Sequence, residues 1–396
     1  MFPRLRQFSY THSFFLFGPR GTGKSTLLAK RFQKNTCLWL DLLDSSIEDQ
    51  FQRDPSQLYA IVTALPDEIT HIIIDEVQKA PKLLDEVHRL IEETNKIFIL
   101  TGSSARKLKH GGANLLAGRA FVYHLHSLSS FELGTSFDLD KALQWGTLPK
   151  IFSFSDDQEK TAFLRSYTDT YLKEEIWNEQ FIRKLQPFRR FLEVAAQSHG
   201  KIINYANIAR DVGVDNKTIK EYFSILEDTM IGFFLEPYKN SFRKRLVEKP
   251  KFYFFDTGVV RSLSRRLSIP LIPKTSTYGD AFEHFIILEF LRLSSFFEPD
   301  YRFSFVRTAG DVEIDLVIER PGKKLLCIEI KSSDSIDSRD ISSFIKITKD
   351  IGNAEAIVLS RDRFMKKFDH VICYPWQEGL KECFPALQVG FKHTSS

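Results

Sequence analysis

From Ser13 to about Leu128, short apolar runs alternate with stretches of helical periodicity. The runs are SFFLF (13–17), TCLWLDL (36–42), HIIID (71–75), KIFILT (96–101) and AFVYHLH (120–126). Buried strands alternating with helices predict a parallel sheet covered on both faces. From about Ser155 to Leu235 the pattern turns helical: SYTDTYLKEEIWNE and FRRFLEVAAQSHG read as helices, the second closed by Gly200. From Tyr278 onward one long apolar helix, AFEHFIILEFLRLSSFF, precedes the alternating strands YRFSFVR, DVEIDLVIE, KLLCIEIKSS, EAIVLS and HVICYPW. The pattern predicts an α/β chain of three domains: a parallel-sheet domain over 1–154, a helical middle region over 155–275 and a second α/β domain over 276–396. No internal repeat, coiled coil or low-complexity segment interrupts it.

Composition changes this picture little. A chain of 396 residues has room for two or three domains at about 100–200 residues each. Its 43% apolar and 27% charged residues are those of a globular protein rather than a disordered one. Cys37, Cys327, Cys373 and Cys383 are scattered without metal-ligand spacing and read as reduced thiols, the first three in apolar runs. The start, MFPRLRQFSYTHS, lacks the apolar run of a signal peptide, and no stretch has the length to span a bilayer, so a cytoplasmic protein without a membrane partner is expected. A net charge of +4 is too mild to imply nucleic acid by itself.

The chemistry begins after the first run. Gly18-Pro19-Arg20-Gly21-Thr22-Gly23-Lys24-Ser25 fits the phosphate-loop pattern G-x-x-x-x-G-K-[ST], and Thr26 continues the nucleotide-contacting run. Gly18, Gly21 and Gly23 let the backbone curl so that its N–H groups face phosphates. Lys24 reaches the β- and γ-phosphates, the Ser25 hydroxyl ligates magnesium, and a helix from Ser25 to Arg31 turns its positive end toward the anion. The third run ends in Asp75-Glu76. There Asp75 would hold the magnesium and Glu76 would polarise the attacking water. A chance glycine-rich turn is disfavoured because the second motif follows in order.

These motifs resemble those of AAA-plus ATPases. FGPRGTGKSTLL, WLDLLD, IIIDEVQK, ILTGSSARKL, LLAGRA and PKFYFFDTGV together look like a large prokaryotic family that joins such a domain to a C-terminal region of uncharacterised function, the domain of unknown function 4143 type. The resemblance spans essentially the whole chain. It implies a five-strand P-loop sheet that binds ATP and magnesium, Walker A at Lys24 and Ser25, and Walker B at Asp75 and Glu76. It also implies a γ-phosphate sensor at Ser103, against the alternative of a plain Gly-Ser turn. Arg119 would then act in trans on a neighbour's nucleotide within a homo-oligomer, such as a hexameric ring. A surface ion pair is the alternative for Arg119, and Arg106 is the competing candidate. No sensor-2 arginine can be assigned.

In the middle region, Asn204 to Gly213 can form a short helix ending at a turn glycine, and Asp215 then caps a second helix, NKTIKEYFSILED. Ile219, Tyr222, Phe223 and Leu226 would face inward, leaving Lys217, Thr218 and Lys220 outside near the N-terminal end. That is where a recognition helix meets DNA. The basic stretch Lys239, Arg243, Lys244, Arg245, Lys249 and Lys251 would be a wing on phosphates. A winged helix that serves only as a protein adaptor or ATPase lid is the alternative.

In the C-terminal domain, alternation puts Glu313 and Asp315 on one face of a strand, with Val312, Ile314, Leu316 and Ile318 on the other. Glu329 and Lys331 share a face of the next strand. With Glu283 on the preceding helix, the order resembles the restriction-endonuclease-like (PD-(D/E)xK) nuclease core. That core implies magnesium or manganese on the carboxylates and Lys331 aiding the nucleophilic water. A cross-strand ion-pair network, or a once-active fold now used for binding, are the alternatives. The whole reads as an ATPase acting on DNA as motor or switch, in branched-DNA processing for instance. The alternative is a signalling or assembly ATPase whose middle and C-terminal domains bind protein partners.

Overall fold

A computed structural model describes residues 2–33, 35–104, 116, 118–171, 185–239, 249–308 and 310–388. The five N-terminal runs become strands β1 (Phe14–Phe17), β2 (Cys37–Asp41), β3 (His71–Asp75), β4 (Ile97–Gly102) and β5 (Phe121–His124) of one parallel sheet, in the order β2-β3-β4-β1-β5. The three inner runs, β1, β3 and β4, look continuously apolar because both of their faces are covered. Phe15, Phe17, Ile72, Ile74 and Leu100 pack on one side, and Phe14, Leu16, Ile73 and Ile99 on the other. Strand β1 lies between β4 and β5, so the loop that follows it emerges at the C-terminal edge of the sheet, where ligands bind in such folds. That loop leads into α1 (Lys24–Arg31), and α2 (Leu83–Glu93) lies between β3 and β4.

In the middle region, helix α3 (Leu185–Gln197) buries Phe188, Phe191, Leu192, Ala195 and Ala196. Helix α4 (Tyr205–Val212) starts with the Asn204 side chain accepting from the Asn207 N–H and ends at Gly213, whose φ of 82° suits glycine. In α5 (Asn216–Asp228) the Asp215 side chain accepts from the Thr218 N–H, and Ile219, Tyr222, Phe223 and Leu226 face the core. An antiparallel pair follows, β6 (Gly232–Pro237) and β7 (Lys251–Phe254). Gly232 admits no side chain, because a Cβ there would lie 2.4 Å from the Phe252 ring and 2.6 Å from the Tyr253 carbonyl oxygen.

The pair does not stand alone. Strand β6 also lies parallel to β8 (Arg302–Arg307) through Glu236–Ser304 and Pro237–Phe305. With β9 (Glu313–Glu319), β10 (Leu325–Lys331), β11 (Ala354–Ser360), β12 (Lys366–Phe368) and β13 (Val371–Pro375) it forms an eight-stranded sheet, β12-β13-β11-β10-β9-β8-β6-β7. The sheet thus joins residues from both sides of position 275, a pairing invisible in the local pattern. The 22-residue helix α6 (Ser276–Phe297) packs Tyr278, Phe282, Phe285 and Ile286 with β-strand residues on one face of the sheet, and α7 (Ser342–Ile351) covers the other. Among the described residues no helix is long and apolar enough to cross a membrane. Strict alternation fails in β9, where an extra residue shifts its register against β8 between Ser304 and Val306. Ile314 therefore packs on the α7 side, whereas Leu316 and Ile318 pack on the α6 side, not all three on one face.

Helix α6 is tied to the N-terminal domain by buried charge. Arg292 donates to the Leu128 carbonyl (2.9 Å), to Ser127 Oγ (2.8 Å) and to Glu289 (3.0 Å), and Glu289 also accepts from the Ser130 N–H (3.0 Å) and hydroxyl (2.5 Å). Both side chains are almost wholly enclosed. Removing one partner strands the other's charge, so Arg292→Met is expected to cost about 3–5 kcal/mol. Chemical denaturation of the full chain checks this, and Glu289→Gln added to Arg292→Met should recover part of the loss.

Candidate functional site

The loop after β1 is braced from all sides. A Cβ at Gly18 would lie 2.2 Å from the Leu125 carbonyl oxygen, so the chain passes too closely for any side chain. Gly21 and Gly23 take φ of 80° and 91°, the left-handed region that glycine enters without strain. The Thr22 hydroxyl donates to the Pro19 carbonyl (2.8 Å), Arg4 donates to the Thr22 carbonyl (3.1 Å), and the Tyr167 hydroxyl donates to the Arg20 carbonyl (2.8 Å). Lys24 is buried, with its ammonium inside the curl donating to the carbonyls of Gly18 (2.7 Å) and Pro19 (3.4 Å). Ser25 and Thr26 are exposed on the first turn of α1. No side chain caps that helix, so its leading N–H groups stay open to an anion.

The ends of β3 and β4 come up beside this loop, where the Gly18 N–H donates to the Gly102 carbonyl (3.3 Å). Asp75 is buried and accepts from the Thr101 hydroxyl, whose oxygen accepts in turn from the Glu76 N–H (3.1 Å). Glu76 sits at φ 60°, a backbone region uncommon for residues other than glycine. Ser103 is buried and accepts from the Gln78 amide (3.1 Å), which also donates to Glu76 (2.5 Å). Lys24, Asp75, Glu76 and Ser103 thus meet at one edge of the sheet. Arg119 does not join them: it precedes β5, at the opposite strand end, and pairs with Glu92 on the exposed surface of its own chain. Arg106 lies outside the described residues.

Sequence reading missed the cavity beside the loop. It measures about 330 Å³ and is walled by Phe2, Leu27, Leu128, Pro149 and Phe152, with Thr22 and Thr26 at its polar side. Its walls come from the chain start, α1 with the loop before it, the segment after β5 and the segment after residue 145, so no local motif marks it.

In the middle region Lys217 and Lys220 are exposed and Thr218 is half-buried at the N-terminal end of α5, and the Lys220 ammonium lies 5.5 Å from the centre of the Tyr205 ring. Arg243, Lys244 and Arg245 lie outside the described residues.

In the C-terminal sheet, Asp315 accepts from the Ile330 N–H (2.7 Å), and Lys331 pairs with Glu329 (2.6 Å). These three side chains gather as their order implied, but Glu283 is spoken for. It pairs with the buried Lys251 of β7 (3.5 Å) and accepts from the Tyr253 hydroxyl (2.7 Å). Lys251 also pairs with Glu313, which is held in addition by Arg307 (3.3 Å). Glu283 stays close enough to Asp315 and Glu329 to raise both carboxyls beyond what burial does, but Lys251 and Tyr253 hold its own carboxylate. Among the described residues no set of three or more His, Cys, Asp or Glu side chains is arranged to hold a metal ion. The ammonium of Lys251, a residue that sequence reading placed in the basic stretch, stands among these carboxylates.

Five carboxylates (Glu283, Glu313, Asp315, Glu329 and, on Arg307, the exposed Asp311) face three cations (Lys251, Lys331, Arg307), so with all of them ionised negative charge is in excess by two. Burial would lower the Lys251 ammonium, but Glu283, Glu313 and Asp315 outweigh it and hold it above the usual lysine range. Burial, with Glu329 and Glu283 nearby, pushes the Asp315 carboxyl well above the usual range. Burial also raises Glu329, against the pull of Lys331. Glu329 Oε2 is buried without a hydrogen-bond partner among the described residues.

Comparison with known proteins follows the three regions. Residues 11–134 match the family described as an AAA domain. Residues 136–268 match a domain of unknown function (DUF8612), and residues 278–378 match another (DUF4143). The chain carries an AAA domain, a nucleotide-binding ATPase module, at its N-terminal end and a DUF4143 domain at its C-terminal end. It is similar to an uncharacterized protein of Mycobacterium tuberculosis, 26% identical over 78% of this chain and 68% of the relative. It is also similar to one of Methanocaldococcus jannaschii, 20% identical over 91% of this chain and 83% of the relative. Among solved structures it is similar to the Aeropyrum pernix ORC1 protein in complex with DNA, at 12% identity and a TM-score of 0.27 over 64% of this chain and 86% of that one.

The excess charge on Asp315 and Glu329 makes a signed prediction. A carboxyl raised in the folded state stabilises the fold below its unfolded pKa, and that stability is lost as pH rises through the folded value. Asp315→Asn keeps an oxygen for the Ile330 N–H and removes the charge. Its thermal midpoint should exceed the wild type's at pH 7–8, with the gain vanishing as pH falls toward about 4, the ordinary carboxylate range. A lowered midpoint at neutral pH would mean that the pair serves as ligands to a cation.

Proposed function

We propose that this chain is an ATP-hydrolysing AAA-type switch acting on DNA. The observation that carries the reading is the Lys24 ammonium held inside the Gly18–Gly23 curl, beside the uncapped start of α1 and the carboxylates at the end of β3. Loop N–H groups and Lys24 would take the phosphates, and the cavity between Phe2 and Phe152 has room and apolar walls for the base. Ser25 and Asp75 would hold magnesium, which supplies positive charge against the phosphates. Glu76 accepts a proton from the attacking water, and Ser103 donates toward the terminal phosphate. Arg119 is the candidate for action in trans in a homo-oligomer such as a hexameric ring. It stands beside the sheet edge where Phe121 and Val122 are 47% and 46% exposed.

The two helices α4 and α5 with the β6–β7 pair support a winged-helix reading, with Lys217, Thr218 and Lys220 toward DNA phosphates and bases. The C-terminal domain enters this reading as a binding platform rather than a nuclease, because Lys251 takes the helix carboxylate that a metal shell would need. The same observation favours a second reading, an assembly ATPase whose C-terminal domain binds protein.

ATP turnover measured with and without single-stranded, duplex and branched DNA tests the first reading. DNA should raise the rate, and the stimulation should weaken steeply with salt. Lys24→Ala should lose both ATP binding and turnover, whereas Glu76→Gln should keep ATP bound and lose only turnover. Assembly driven by nucleotide but indifferent to DNA would favour the second reading. A mixture of Lys24→Ala and Arg119→Ala subunits should regain turnover, since each supplies what the other lacks; inactive mixed assemblies would remove Arg119 from a role in trans.

A further inference from the structure

Gln78 stands two residues past Glu76 in the turn Val77–Lys79 and is only 6% exposed. Its amide nitrogen has two hydrogens, and both are used: one reaches Glu76 Oε2 at 2.5 Å, the other Ser103 Oγ at 3.1 Å. Its Oε1 is buried and lacks a hydrogen-bond partner among the described residues. That oxygen would lie 2.6 Å from a Cβ on Gly102, so glycine at the end of β4 is what lets the amide reach its position. A buried amide with one unmet acceptor is costly, by about 1–3 kcal/mol. Burying it only to fill space would be better served by leucine. Two groups on neighbouring strand ends, one from the β3 turn and one from β4, meet on this single planar amide.

We propose that Gln78 is a positioning residue that couples Ser103 to Glu76, so that contact between Ser103 and a terminal phosphate sets the direction of the Glu76 carboxylate. The proposal rests on the ATPase reading above and adds to it how the two groups act together. The Ser103 oxygen accepts from Gln78, which leaves its own proton free to donate to phosphate. The amide is rigid and planar, so a shift of Ser103 toward phosphate draws Gln78 and swings the carboxylate with it. A neutral donor holds Glu76 without pairing its charge, so the carboxylate keeps its capacity to accept a proton. The left-handed backbone at Glu76 fixes where its side chain begins, and Gln78 fixes where it ends.

The test is a double-mutant cycle on the full chain, with ATP turnover and binding of a fluorescent ATP analogue measured separately. Gln78→Leu keeps the volume and removes both donors. It should lower kcat by about tenfold, the worth of one hydrogen bond to a charged group, and leave KM and analogue affinity within about twofold. Ser103→Ala should lower kcat as well, and the double variant should be no slower than the slower single one. Gln78→Asn keeps the amide but draws it back by one carbon; it should lose kcat in the same way at an unchanged thermal midpoint, which separates lost coupling from lost folding. Wild-type kcat in Gln78→Leu, or losses that multiply in the double variant, would overturn the coupling alone. A wild-type chain that neither binds nor hydrolyses ATP would overturn the ATPase reading and the coupling with it.

Discussion

Glu289 and Arg292 are full charges held with almost no access to water, and much of the architecture follows from the need to satisfy them. A buried ion pair needs partners for most of its remaining donors and acceptors, and of this pair Arg292 Nε is left without one among the described residues. Here the partners are the Leu128 carbonyl, the Ser127 hydroxyl, and the Ser130 N–H and hydroxyl, all in the segment that follows β5. That segment also contains Glu132, which takes Arg4 at 3.1 Å and the Leu5 N–H at 2.8 Å. Arg4 in turn reaches the Thr22 carbonyl in the glycine-rich loop. The chain start, the nucleotide loop and the long helix of the C-terminal domain are therefore set by one continuous polar layer, and none can shift far without stranding a charge.

Such a layer favours a preorganised loop. A glycine-rich turn is entropically expensive to order, and an unsupported one would lose part of its binding energy in settling. Arg4 and Tyr167 grip it through its carbonyls, which uses none of the N–H groups that an incoming anion would need. The same logic applies to Glu76, whose side chain is tethered at its far end by Gln78.

What was legible in the sequence was what the chain encodes over short spans. The glycine-rich loop and the carboxylates after β3 are contiguous motifs. The five apolar runs announce strands because each is bounded by polar turns, and Asn204, Gly213 and Asp215 mark helix ends by chemistry local to each. What stayed hidden depends on distant partners. Lys251 looked like one more cation in a basic stretch until β7 brought it to Glu283 and Glu313. The extra residue in β9 broke an alternation that the letters alone seemed to promise. Gln78 sat in view beside Asp75 and Glu76, but its second bond reaches Ser103, twenty-five positions on. The cavity near Phe2 is assembled from four separated segments.

The pairing of β6 with β8 has an evolutionary consequence. Recombination exchanges segments most readily where few contacts cross a boundary, and the stretch near position 275 looks like such a joint in the primary sequence. Cutting there would strip β6 and β7 from one side of the eight-stranded sheet and bare the edge of β8, a row of unpaired backbone groups that invites aggregation. The hairpin and the C-terminal sheet are therefore expected to be exchanged together, and a cut just upstream of the helices before β6 would open the core that they share with Trp145, Leu148, Leu164 and Tyr167.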